Sequence, residues 1–128
     1  MTVNPAQMQV LIVDDYKTML RVIRNLLAQI GFKNVDEATD GTMALDMMKH
    51  KNYDLVISDW NMEPMTGLEL LKTVRANGND KLPFIMVTAE SKIENVVAAR
   101  QAGVNNYIVK PFSAEILKSK IAAVLGSF

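Results

Sequence analysis

Cysteine is absent from the 128 residues. Disulfides, thiolate metal sites and cysteine nucleophiles are thereby excluded together. Charge of either sign is not in excess: Lys+Arg and Asp+Glu both count 14. A balanced chain offers no electrostatic reason to bind nucleic acid or an anionic membrane. No apolar run approaches the roughly 18 residues that a bilayer-spanning helix needs. The start, Met1 to Gln9, has no basic segment followed by an apolar one, so it does not read as a secretory signal. Histidine and tryptophan occur once each, as His50 and Trp60. Low-complexity segments, linkers and internal repeats are also missing. What remains is a chain that is 49% hydrophobic, of about one domain's length, expected to be cytoplasmic.

Short apolar runs alternate with segments of helical period. Val10-Leu11-Ile12-Val13, Leu55-Val56-Ile57-Ser58, Phe84-Ile85-Met86-Val87 and Tyr107-Ile108-Val109 read as strands. Val35 to Ala38 is a weaker fifth. Between them, Met19 to Ile30 repeats apolar residues at spacings of three and four and stops at Gly31. Ala44, Leu45 and Met48 mark a second helix, with His50 as a solvated residue at its end. Leu68, Leu71 and Val74 mark a third, closed by Asn77-Gly78. Ile93, Val96 and Val97 mark a fourth, stopped by Gly103. Leu117, Ile121, Val124 and Leu125 mark the last. The nine methionines fall largely at core spacing and read as packing. Five β-α units predict a parallel sheet with helices on both faces. The expected fold is the flavodoxin-like doubly wound sheet, strand order 2-1-3-4-5, with five helices in one domain over residues 1–128.

In such a sheet all strands end on one edge. That edge should gather Asp14 and Asp15, Asp59, Thr88 and Lys110, around the switch point between strands 1 and 3. Each residue alone has an ordinary reading. An aspartate after a strand caps a turn or helix, a threonine caps a helix, and a lysine is solvated. Together they form a coherent set. Three crowded carboxylates call for a cation or a proton. Hard oxygen donors without nearby histidine or cysteine favour Mg²⁺. A carboxylate nucleophile, a divalent ion, a lysine and a hydroxyl suit transfer of a phosphoryl group to aspartate.

Val13-Asp14-Asp15, Ser58-Asp59, Val87-Thr88-Ala89 and Val109-Lys110-Pro111-Phe112 resemble the receiver domains of two-component response regulators. The resemblance runs from about Gln9 to Leu125. The strings Arg24-Asn25-Leu26-Leu27, Ile57 to Met62, Gly67 to Arg75 and Met86 to Glu90 resemble the chemotaxis regulators within that family. It implies that Asp59 is the phosphoacceptor and that Asp15 binds Mg²⁺ directly. Asp14 would act through a metal-bound water, and the backbone carbonyl of Asn61 would be a further ligand. Lys110 would pair with phosphoryl oxygens and Thr88 would swing toward them. Tyr107 would be the switch aromatic, and the Lys110-Pro111 bond would be cis.

The implied function is a phosphorylation-activated switch, with self-catalysed phosphotransfer and dephosphorylation as its only enzymatic traits. Its implied partners are a histidine kinase, the flagellar motor switch protein and, as a further candidate, a phosphatase. Neither nucleic acid nor a membrane is among them, and the expected state is a monomer. With no effector domain, output would pass through a partner surface of Lys92, Ile93, Tyr107 and Lys120. A phosphate sink or relay intermediate is the alternative within the same chemistry. A metal-dependent phosphatase with an aspartyl-phosphate intermediate is the alternative from another class. It would want an acid where Asn61 stands and a cap domain that 128 residues do not hold. A flavin carrier would want hydroxyls and glycines where Asp14-Asp15-Tyr16-Lys17 stands.

The sequence departs from the family pattern in the loop after Asp59. Proline comes at Pro64, where the usual position is that of Glu63, and Thr66 replaces a common aspartate. These bear on loop conformation and dephosphorylation rate. Ile93 and Ala123 stand where the chemotaxis regulators often carry lysine, which makes the expected partner surface less basic. Ile93 either opens a buried stripe with Val96 and Val97 or stands exposed as an apolar anchor.

Overall fold

The computed structural model describes residues 4–89 and 92–126. Glu90, at the end of one of the strings above, lies outside the described residues. After a 3-10 turn at Pro5–Gln7, five strands alternate with five helices. They are β1 (Gln9–Val13), α1 (Lys17–Ile30), β2 (Asn34–Ala38), α2 (Gly41–His50), β3 (Leu55–Asp59), α3 (Gly67–Ala76), β4 (Phe84–Thr88), α4 (Ile93–Gln101), β5 (Asn106–Val109) and α5 (Ala114–Leu125). All strand pairs are parallel and the sheet order is β2-β1-β3-β4-β5. This is the doubly wound order expected from the sequence. Among the described residues, no helix is long and apolar enough to cross a membrane.

Side chains alternate across a strand, so each β-strand feeds two cores. Val10, Ile12, Ile57, Ile85, Val87 and Ile108 face α1 and α5 and pack with Leu20, Ile23, Leu27, Leu117 and Ile121. Leu11, Val13, Val56, Phe84 and Met86 face the other side and pack with Ala44, Leu70, Leu71 and Val74. β3 and β4 are buried along their whole length, which explains their unbroken apolar sequence. Helix α1 ends at Gly31, whose φ of 121° lies where a β-carbon is disfavoured.

Burial refines one sequence reading and decides another that was left open. In α3 the buried residues are Leu70, Leu71 and Val74, while Leu68 is half-buried. In α4 the apolar triad is not a core stripe. Ile93 is 78% exposed and Val97 46% exposed, Val96 is half-buried, and Ala99 is the helix's one buried residue. His50 is exposed at the end of α2, as expected. Of the methionines, Met62 and Met86 are buried and Met43 is exposed.

Candidate phosphoryl-transfer site

The parallel register brings the strand ends together. Val13 pairs beside Ser58, and Asp59 pairs beside Val87, so Asp14 and Asp59 leave neighbouring strands at the same level. Asp14, Asp15 and Asp59 each offer a carboxylate oxygen, and these oxygens lie within 4.8 Å of one another. Asp14 and Asp59 are buried and Asp15 is exposed. Lys110 enters from the end of β5. Its Nζ lies 3.1 Å from Asp59 Oδ1 and 3.7 Å from Asp14 Oδ2. It is therefore a paired, half-buried ammonium and not a solvated surface lysine.

The backbone that carries these groups is tied down locally. Lys110 N–H donates to Thr88 O at 2.7 Å, Trp60 N–H to Val87 O at 2.9 Å, and Gly67 N–H to Trp60 O at 2.8 Å. Gly67 lies so close to the acceptor strand that a β-carbon there would stand 2.2 Å from Asp59 O. The Ser58 hydroxyl, fully buried, donates to the same carbonyl. The loop from Asn61 to Thr66 ends in a capping box, in which Thr66 and Glu69 bond reciprocally at the start of α3. So the threonine that replaces the family's aspartate serves as a helix cap. The bonds Glu63-Pro64 and Lys110-Pro111 are cis. The second was expected from the family resemblance; the first carried no signal in the sequence.

Electrostatics at the site are those of carboxylates short of solvent. Burial pushes the Asp14 carboxyl up to about 6, and the neighbouring Asp59 charge adds to the rise. The Tyr16 N–H, 2.9 Å from Asp14 Oδ1, opposes it. Burial also raises Asp59, against the hydrogen bond and charge of Lys110. Asp14 Oδ2 is buried without a hydrogen-bond partner. The Lys110 ammonium, 3.7 Å away, is too far to hydrogen-bond it, and a buried carboxylate oxygen in that state is costly unless a closer cation reaches it. The three carboxylates thus fit a small divalent ion with oxygen ligands, and Mg²⁺ suits the donor set. A surface depression of about 350 Å³ opens beside them, lined by Asp15, Asn61, Met62, Glu63 and Thr66. Asn61 is exposed where it lines this depression.

The remaining expected residues fall into two groups. Thr88 is buried at the end of β4, and Tyr107 is half-buried on β5. Thr88 has the strand parity of Phe84 and Met86, and Tyr107 pairs beside Met86, so both lie toward the α4 side of the sheet. Tyr107 also meets Trp60 edge-on, with ring centroids 6.3 Å apart. Lys92 and Ile93 are exposed on α4. Lys120 is half-buried, not exposed as expected, and its carbonyl accepts from Asn106 Nδ2 at 3.0 Å. Arg75 was not singled out by the sequence, yet it makes an extensive set of hydrogen bonds far from the carboxylates.

With this geometry in hand, known proteins can be set beside the chain. The response regulator receiver domain matches residues 10–122. A chemotaxis protein CheY of Pseudomonas aeruginosa is 53% identical over 118 residues, spanning 91% of this chain and 95% of the relative. Chemotaxis protein CheY-3 of Vibrio cholerae is 53% identical over 115 residues, 89% of this chain and 88% of the relative. Among solved structures, chemotaxis protein CheY4 of Vibrio cholerae superposes with a TM-score of 0.86 at 34% identity, covering 92% of this chain and 98% of that one.

Proposed function

The chain belongs to the response regulator receiver family, and on that premise we propose that it is a chemotaxis switch that accepts a phosphoryl group on Asp59. The observation that carries this reading is the pairing of Lys110 Nζ with Asp59 Oδ1 at 3.1 Å, beside a buried oxygen of Asp14 that no hydrogen bond satisfies. An Asp59 oxygen attacks the phosphorus of a kinase phosphohistidine, and the bond from phosphorus to the imidazole nitrogen breaks with its electron pair. Lys110 turns from its carboxylate partners to the incoming phosphoryl oxygens. Asp14, Asp15, Asp59 and the backbone carbonyl of Asn61 would hold Mg²⁺, which neutralises charge on the carboxylates and the transferred group.

Thr88 and Tyr107 carry the change to the surface. They share the α4 side of the sheet, and their strands are hydrogen-bonded neighbours. Thr88 moves toward the phosphoryl group and Tyr107 turns inward, giving two discrete states that a ligand can bias. The partner surface comprises Lys92, Ile93, Tyr107 and Lys120 on α4, β5 and α5. The names of the 53% identical relatives support a role in chemotaxis; on this reading the partner is the flagellar motor switch and the donor a histidine kinase.

The decisive experiment is mass spectrometry after acetyl phosphate and Mg²⁺. Wild type should gain one phosphoryl mass and Asp59→Asn none; full labelling of Asp59→Asn would refute the assignment. Thr88→Ala should accept the group yet lose most phosphorylation-dependent binding to a motor-switch peptide. Wild-type binding by that variant would remove Thr88 from the relay.

A further inference from the structure

We infer that Arg75 is a positioning residue for the output surface: it pins the C-terminal end of α4 to α3, so that α4 answers the site by swinging about that end. The use of the swing rests on the proposed signalling role; the clamp itself rests on geometry alone.

Arg75 stands in the last turn of α3. A cation there is ordinarily a solvated complement to the helix dipole. Here the guanidinium spends its whole donor set on two loops. Nη1 donates to Asn79 O and to Leu82 O, both at 2.7 Å. Nε and Nη2 both donate to Gly103 O, at 3.2 and 2.7 Å. Nη2 also donates to Asn105 Oδ1 at 3.0 Å. A guanidinium has five N–H donors in a rigid fork, and these bonds occupy all of them. Every acceptor is a neutral oxygen, so the bonds are charge-assisted without being an ion pair.

Those acceptors join α3 to the approach to β4 and to the turn between α4 and β5. Asn105 extends the joint. Its Oδ1 also accepts from Phe84 N–H, and its own N–H donates to Phe84 O, both at 2.9 Å. Gly103 is shaped to the clamp: its φ is +97°, and a β-carbon there would lie 3.1 Å from Arg75 Nε. The turn closing α4, with Val104 N–H on Ala99 O at 3.0 Å, sits directly on it.

The other end of α4 is held differently. Ala99, the helix's one buried residue, is near the clamp, whereas Ile93 and Val97 are exposed. A short rigid helix fixed at one end and free of deep packing at the other pivots instead of sliding. The largest displacement then falls at Lys92 and Ile93, the end nearest Thr88. Lysine at position 75 would keep the charge but could not span both loops.

The test compares wild type with Arg75→Lys, Arg75→Met and Gly103→Ala by amide hydrogen exchange and by backbone NMR, before and after acetyl phosphate with Mg²⁺. In Arg75→Lys, exchange at Ala99–Ala102 and Asn105–Ile108 should rise by about tenfold or more, with α1 and α2 unchanged. Asp59 labelling should proceed as in wild type. The phosphorylation-induced shifts, concentrated at Lys92–Val96 in wild type, should spread along the whole of α4 in the variant. Wild-type exchange at the α4 end, or an increase uniform across the protein, overturns the clamp. Shifts that stay concentrated at Lys92–Val96 without the clamp overturn the pivot. Should Arg75→Met fail to fold, Arg75→Lys and Gly103→Ala decide the question. If wild type itself takes no phosphoryl group, the proposed function fails, and the exchange pattern still decides whether Arg75 clamps α4.

Discussion

Helices α3 and α4 follow the two strands that end in Asp59 and Thr88, and the protein holds them in opposite ways. Helix α3 begins with a capping box and brings Gly67 hard against Asp59 O. It buries Leu70, Leu71 and Val74. Helix α4 receives no side-chain cap bond from Lys92 and buries Ala99 alone. It carries two large apolar side chains in solvent. The first helix makes a rigid wall for a site in which tenths of an ångström matter. The second has little packing energy to lose on moving, as befits an element drawn from the low-stability end of a fold. On the proposed function, site and signal are thus divided between neighbouring β-α units.

The sharpest break of this comparison is truncation at each helix. Leu71→Ala should cost about 2–5 kcal/mol in urea unfolding. Val97→Ala should stay within about 0.5 kcal/mol. Equal losses would mean that the two helices are held alike.

Asp14 gives the next largest effect, on the site's side of the divide. Its folded carboxyl is raised to about 6 by burial, above its ordinary value of 3.8. The folded protein therefore binds the proton more tightly than the unfolded chain. The associated stability is fully present below the ordinary value and is lost as pH rises through about 6. Asp14→Asn should remove that loss and raise metal-free stability at pH 8 by about 1–3 kcal/mol. Urea midpoints between pH 4 and pH 8 in chelator check this: the drop across that window should shrink in the variant. Mg²⁺ should stabilise wild type more than Asp14→Asn.

Ile93→Lys tests the signalling side. It should leave stability within about 0.5 kcal/mol and weaken binding to a motor-switch peptide by about tenfold. Wild-type binding should depend weakly on ionic strength if, as proposed, the surface works by apolar contact. A steep salt dependence, or no effect of the variant, would move the output elsewhere.

The smallest contrast is at the helix starts. Thr66→Ala should cost about 1 kcal/mol through loss of its cap. Lys92→Ala should change stability by no more than a few tenths, about 0.3 kcal/mol. Thermal unfolding of both variants gives the comparison.

The sheet was legible because four of its strands carry continuous apolar runs followed by polar residues, with β2 the weak exception, so order and edge followed from β-α alternation. The carboxylate cluster followed from that edge. Helix α4 was left with two readings because Ile93, Val96 and Val97 have the spacing of a core stripe, while its buried contact is a small alanine that no periodicity marks. The same ambiguity hid Leu70 behind Leu68 in α3. Lys120 sits in a helix whose buried stripe was correctly read, but its half-buried state depends on where β5 lies. Arg75 was invisible for a plainer reason. Its partners Gly103 and Asn105 are 28 and 30 residues away, and no local pattern tells a solvated arginine from one that bridges two loops.

Trp60 has a consequence for how this protein can be watched. It is the single indole of the chain, it follows Asp59 directly, and it meets the Tyr107 ring edge-on. Its emission samples the carboxylate cluster through one peptide bond and the β5 edge through one ring contact. A fluorescence trace taken during metal or phosphodonor addition therefore sums two signals. Tyr107→Phe keeps the ring and the contact, whereas Tyr107→Ala removes the contact, and the difference between their traces isolates the contribution of the distant edge. The chain thus carries a native optical probe astride its proposed input and output, with no label to add.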